Sequence, residues 1–154
     1  MPATSELLSL PSLDQVLSVA LRLVVAALLG GLLGAERESV GKAAGLRTHM
    51  LVSLGGALFV MVAVEHGVLG DVSRVIQGVA AGIGFIGAGT ILKQVEKEQV
   101  TGLTTAASLW LTAAIGVAAG VGTIWLAVGG ALFAYIVLNT LVRLERRSDT
   151  KIQM

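Results

Sequence analysis

Few side chains in this sequence can do chemistry, and most of them stand at the edges of long apolar stretches. Arg22 falls inside such a stretch. A guanidinium in hydrocarbon is costly, so it snorkels to the surface, joins a structural ion pair, or lies on a ligand or ion path. His49 sits about one turn inside another stretch and shares a helical face with Ser53, Gly56, Val60 and Ala63. No histidine, cysteine or carboxylate stands three or four residues from it. A hydrogen-bonded interfacial histidine is therefore expected rather than a metal ligand. Glu65, His66 and Asp71 lie close together and could hold a hard cation. They lack the ordered spacing of a calcium loop, so a solvated connection is expected. Thr104, Thr105, Ser108 and Thr112 fall within about 100° of one another on a helix. Such hydroxyls bond back to their own helix or bridge to another, and a stripe of them could also line a polar path. There is no cysteine, and hence no disulfide or thiolate. The spans contain no nucleophile–base pair, metal motif or phosphate loop. An enzyme is not expected, nor is a cofactor.

The elements that must position these groups are membrane spans. The chain has 154 residues, of which 55% are hydrophobic and 14% charged. Its mean hydropathy is +0.85. A soluble domain carries nearer a quarter charged residues. The sequence predicts an all-α, polytopic membrane protein: a five-helix bundle with glycine-rich packing over 16–142. An interfacial segment, 1–15, precedes it, and a short polar tail, 143–154, follows. The predicted helices are Val16–Ala35, Leu46–Val64, Val75–Leu92, Leu103–Ala119 and Ile124–Val142. The first holds a GxxxG at Gly30 and Gly34, and the fourth another at Gly116 and Gly120. The third carries Gly78, Gly82 and Gly89 on one side and Gly84 and Gly87 on roughly the opposite side. In lipid such glycines let backbones approach closely. The third helix is thus predicted to be the packed centre, with neighbours on both flanks; a break near Gly84–Gly89 is the alternative.

Five spans place the termini on opposite sides. Nine of the 11 lysines and arginines then share one side, and by the positive-inside rule that side is cytoplasmic. The N-terminus faces outward. The net charge of +1 points to no nucleic-acid partner.

Four blocks follow one another in the order seen in a known family: GLLGAERE (31–38), GLRTHMLVSLGGALF (45–59), DVSRVIQGVAAGIGFIGAGTI (71–91) and VTGLTTAASLWLTAAIG (100–116). By these blocks the chain resembles the MgtC/SapB family of bacterial inner-membrane proteins over about residues 16–147. The resemblance implies five spans with an outward N-terminus. It also implies a setting in magnesium limitation and survival inside host macrophages, restraint of the ATP synthase, and association with a magnesium-transporting P-type ATPase. The family's polar motif residues correspond to Arg22, Glu36, Arg37, Arg47, Thr48, Asp71, Arg74, Thr104 and Thr105. Relatives of the MgtC type often carry a C-terminal ACT-like domain. This chain stops at Met154, and a short form without that domain is expected.

Two functions compete. The first is a regulatory membrane protein that binds other membrane proteins through surplus small-residue helix faces, and that forms a homodimer. The second is a small-ion transporter or channel, with Mg²⁺ one candidate ion. Against the second, no carboxylate lies in the middle of any span.

Overall fold

The computed structural model describes the backbone of residues 10–65, 69–94 and 99–152, and the side chains of 10–65, 72–91 and 100–140. Five helices follow in order: α1 (Leu13–Ser39), α2 (Leu46–Glu65), α3 (Leu69–Ala88), α4 (Leu103–Val121) and α5 (Ile124–Ile152). α1 begins a turn earlier than its apolar run suggests because Ser12 and Gln15 form a capping box. The Ser12 hydroxyl accepts from the Gln15 amide, and the Gln15 side chain accepts from the Ser12 amide at 2.8 Å. α5 continues through Ile152, so it runs on through residues read from sequence as a polar tail.

The third predicted span is displaced. α3 starts at Leu69 and stops at Ala88, where the amides of Gly89, Thr90 and Ile91 bond back onto the last turn. A short antiparallel hairpin follows, β1 (Leu92–Gln94) with β2 (Gln99–Thr101), pairing Leu92 with Thr101 and Gln94 with Gln99. Sequence reading treats this stretch as an irregular connection. Gly102 then enters α4 at φ 91°, and a Cβ there would overlap the Thr90 carbonyl oxygen, so only glycine fits.

α1, α2 and α4 are each long and apolar enough to cross a membrane. The apolar parts of α3 and α5, 72–88 and 124–140, reach the short end of the ~17–25-residue range for a span. Burial is inverted relative to a soluble protein. Phe85 is 86% exposed and Trp125 76%, while Glu36, Arg37, His49, Ser53, Thr105, Ser108 and Thr112 are buried. Apolar side chains outside and polar ones inside suit a surrounding of lipid.

The core is the trio α1, α2 and α4. α2 packs along both of the others, α5 leans on α1 and α4, and α3 lies at the edge against α4 and α2. Backbone contact makes the trio possible. A Cβ on Gly30 would stand 2.6 Å from the His49 carbonyl oxygen, one on Gly34 2.7 Å from the Leu46 Cα, and one on Gly120 2.5 Å from the Ala57 carbonyl oxygen. A Cβ on Gly116 would overlap the Ser53 carbonyl. Small residues fill the rest: Ala26, Ala57, Ala119, Ala127 and Ala131 pack with Leu33 and Ile115.

α3 is therefore not the packed centre of the chain. Only Ile83 and Gly87 of its described side chains are buried. Gly87 makes ordinary contact with Ala106, and Gly89 lies near its own preceding turn. Gly78, Gly82 and Gly84 have no heavy atom within 4 Å of the Cβ position. Periodicity shows which residues share a face. It does not show whether the same chain supplies anything to cover that face.

Candidate functional site: a buried polar seam

The buried polar groups gather where the end of α1, the start of α2 and the first half of α4 meet. Glu36 and Arg37 lie in the last turn of α1, where a positive group complements the helix dipole. Arg37 is wholly buried and Glu36 is 8% exposed. The guanidinium grips the carboxylate side-on, with Nε donating to Oε2 and Nη2 to Oε1 at 2.6 Å. Two parallel charge-assisted bonds are what make such a pair tolerable out of water. The backbone then turns sharply, with Gly41 at φ 68°. Glu38 reaches forward, and its Oε2 accepts from the Leu46 amide at 2.8 Å, placing a carboxylate on the N-terminus of α2. A Cβ on Gly45 would stand 2.6 Å from that oxygen, so glycine leaves the room Glu38 uses.

His49 follows one turn into α2 and is wholly buried. Its Nδ1 lies 3.0 Å from the Gly45 carbonyl oxygen, and its Nε2 lies 3.2 Å from Ser108 Oγ on α4. The hydroxyl stripe of α4 bonds mostly to its own helix: Ser108 donates to the Thr105 carbonyl and Thr112 to the Ser108 carbonyl, each at 2.8 Å. Two buried polar atoms among the described residues have no partner, Arg37 Nη1 and Ser53 Oγ.

The residues that the resemblance singles out lie in two groups, one toward each end of the bundle. Glu36, Arg37 and Thr105 belong to the seam. Arg47 is exposed and Thr48 half-buried on the first turn of α2, and Thr104 is exposed at the start of α4. Arg74 lies on an exposed part of α3, at the other end. Asp71 is in the first turns of α3, but its side chain lies outside the described residues, as does His66. Arg22 has a structural task. Its Nη1 donates to the Gly120 carbonyl at 3.0 Å, satisfying an open acceptor at the C-terminus of α4. Its guanidinium packs 3.3 Å from the Cβ position of Gly122, which holds φ 96° as the αL cap. His49, Ser53, Ser108 and Thr112 are the buried seam residues that the motif reading leaves out, and the exposed Glu38 stands beside them. The signal for these four was present: a polar face on the second helix and a hydroxyl stripe on the fourth.

A second feature lies beside the seam. α2, α3 and α4 enclose an apolar cleft of about 590 Å³, lined among others by Val52, Gly55, Phe59, Gly78, Gly82 and Ile86. No group of three or more His, Cys, Asp or Glu side chains able to hold a metal ion is found among the described residues.

An inverted helical bundle with close glycine crossings and a buried ionic seam defines a polytopic membrane protein. Residues 23–147 match the MgtC family, and the chain belongs to it. Three relatives illustrate the range. The chain is 42% identical to SrpB of Synechococcus elongatus over 84% of its own length and 78% of that protein. It is 43% identical to YhiD of Escherichia coli strain K12, by name a candidate magnesium transporter, over 85% of its length and 64% of that protein. It is 48% identical to MgtC of Brucella abortus over 75% of its length and 48% of that protein. The chain thus spans only about half of the MgtC proteins it matches. No solved structure matches it.

Proposed function

We propose that this chain is a magnesium-linked regulator of the bacterial inner membrane that works by receiving a transmembrane helix of another membrane protein in the cleft between α2 and α3. The observation that carries this reading is the open glycine wall. Gly55, Gly78 and Gly82 line the cleft and have nothing within 4 Å of the Cβ position, whereas the glycines of α1 and α4 are used within the protomer. A smooth apolar groove in lipid suits an apolar helix, because close backbone approach replaces the missing hydrophobic drive. The family setting supplies the partners to try, a magnesium-transporting P-type ATPase and the ATP synthase. A second copy of the chain, giving the expected homodimer, is the competing occupant.

The test is co-purification from bacterial membranes with each ATPase, using Gly78→Leu. This substitution projects into open space, so the variant is expected to melt like the native protein and to lose the partner. A variant that keeps full partner binding overturns the reading. Loss of self-association alone assigns the cleft to the dimer.

The name of YhiD and the buried seam favour transport of a small cation as the second reading. Liposomes with purified protein separate the two, since magnesium flux is expected only under the second.

A further inference from the structure

The seam contains one imidazole among its described residues, His49, and both its ring nitrogens are engaged. The Gly45 carbonyl can only accept, so His49 Nδ1 carries a hydrogen. Nε2 faces Ser108 Oγ at 3.2 Å, and that same hydroxyl faces the Thr105 carbonyl at 2.8 Å. Ser108 has one proton for these two acceptors when the imidazole is neutral. It must then give up either the bond to α2 or the bond within α4. When Nε2 is protonated the conflict disappears: Nε2–H donates to Ser108 Oγ, and Ser108 donates to Thr105.

We propose that His49 is a proton-binding site on the basic side of the bundle, and that its protonation turns the Ser108 hydroxyl and so changes the contact between α2 and α4. One proton is taken from hydronium in the bulk solvent onto Nε2, leaving water; the Ser108 O–H swings from Nε2 to the Thr105 oxygen, the new Nε2–H donates to Ser108 Oγ, and no other bond is made or broken.

A second observation points to water, through which a proton can reach the ring, in the same seam. Ser53, one turn further along the His49 face, is wholly buried with an unpartnered Oγ, and buried Arg37 Nη1 is also unpartnered. Buried water is the ligand that satisfies an isolated donor and an isolated hydroxyl of this size. The charges facing His49 come from α1, where Glu36 and Arg37 hold each other as a neutral pair. Glu38 is committed to the Leu46 amide, Arg47 on α2 itself is exposed, and α4 presents hydroxyls only. The site goes beyond the docking reading and stands without it.

The experiment uses the full chain in lipid bilayers with His66→Gln, which leaves His49 as the only histidine. Nitrogen NMR follows its ring and carbon NMR follows the Thr105 carbonyl between about pH 8 and pH 5. Nδ1 is expected to stay protonated throughout, Nε2 to pass from the unprotonated to the protonated range, and the Thr105 carbonyl to shift over the same interval. Ser108→Ala should keep the ring titration and lose the Thr105 response. A ring that holds one neutral tautomer across the interval overturns the proposal. So does a titration that leaves Thr105 unmoved, or a Thr105 response that survives Ser108→Ala.

Discussion

Glu36 and Arg37 are neighbours in sequence, and adjacent positions on a helix normally diverge. They meet here because α1 is ending and both side chains have been driven out of lipid into one buried spot. Removing one partner leaves an uncompensated charge. Glu36→Ala is expected to lower stability by about 3–5 kcal/mol, and Glu36→Leu with Arg37→Met to recover most of it. Thermal unfolding in detergent checks this, and a Glu36→Ala protein that melts at the native temperature would show a solvated pair. Arg22 operates at the other end through a carbonyl rather than a carboxylate. Its loss removes one charge-assisted bond at a helix terminus, so Arg22→Ala should cost about 1–3 kcal/mol. Arg22→Lys should retain part of that, because the ammonium still complements the α4 dipole. Equal melting of all three proteins would remove Arg22 from the cap.

Among the elements, the same residue type has opposite tasks. Gly116 on α4 touches the Ser53 carbonyl of α2, whereas Gly78 on α3 faces open space. Backbone cannot retreat as a flexible side chain can, so even Gly116→Ala should cost about 1–3 kcal/mol or more. Gly78→Ala should leave the melting temperature unchanged, or raise it slightly through better helix propensity. Paired melts of the two variants decide the matter, and a silent Gly116→Ala would dissolve the α2–α4 crossing. Gly102→Ala is a third case, since it combines a positive φ with a clash against Thr90. It should disturb the hairpin and the start of α4 together.

For the molecule as a whole, the basic end holds Arg37, Lys42 and Arg47, and the seam lies beneath it. A cysteine at Ser39 is expected to be shielded from an impermeant thiol reagent added outside intact cells, and one at Gly70 to be labelled. The reverse pattern would turn the bundle over and place the seam nearer the other compartment. In either orientation the polar groups reach about two turns into α2 and α4 and then meet the alanine and glycine crossing of Ala57, Ala119 and Gly120. The seam thus lies toward one end of the bundle, with close packing beyond it.

Composition and the length of the apolar runs were enough to determine a helical membrane bundle, because hydrocarbon leaves the backbone few ways to satisfy itself. Helical period also placed Gly30 with Gly34, Gly116 with Gly120, His49 with Ser53, and the α4 hydroxyls on common faces. These are local properties, set by φ, ψ and 1.5 Å of rise. Which faces meet is not local. Only the tertiary structure decided that the His49 face closes on the Ser108 stripe, that Arg22 takes the Gly120 carbonyl, and that α3 stands at the edge with its glycines uncovered. A small-residue face reads the same in sequence whether it is filled by its own chain or left for another. In lipid no hydrophobic drive distinguishes the two cases, so the difference rests on which backbones can approach within van der Waals contact.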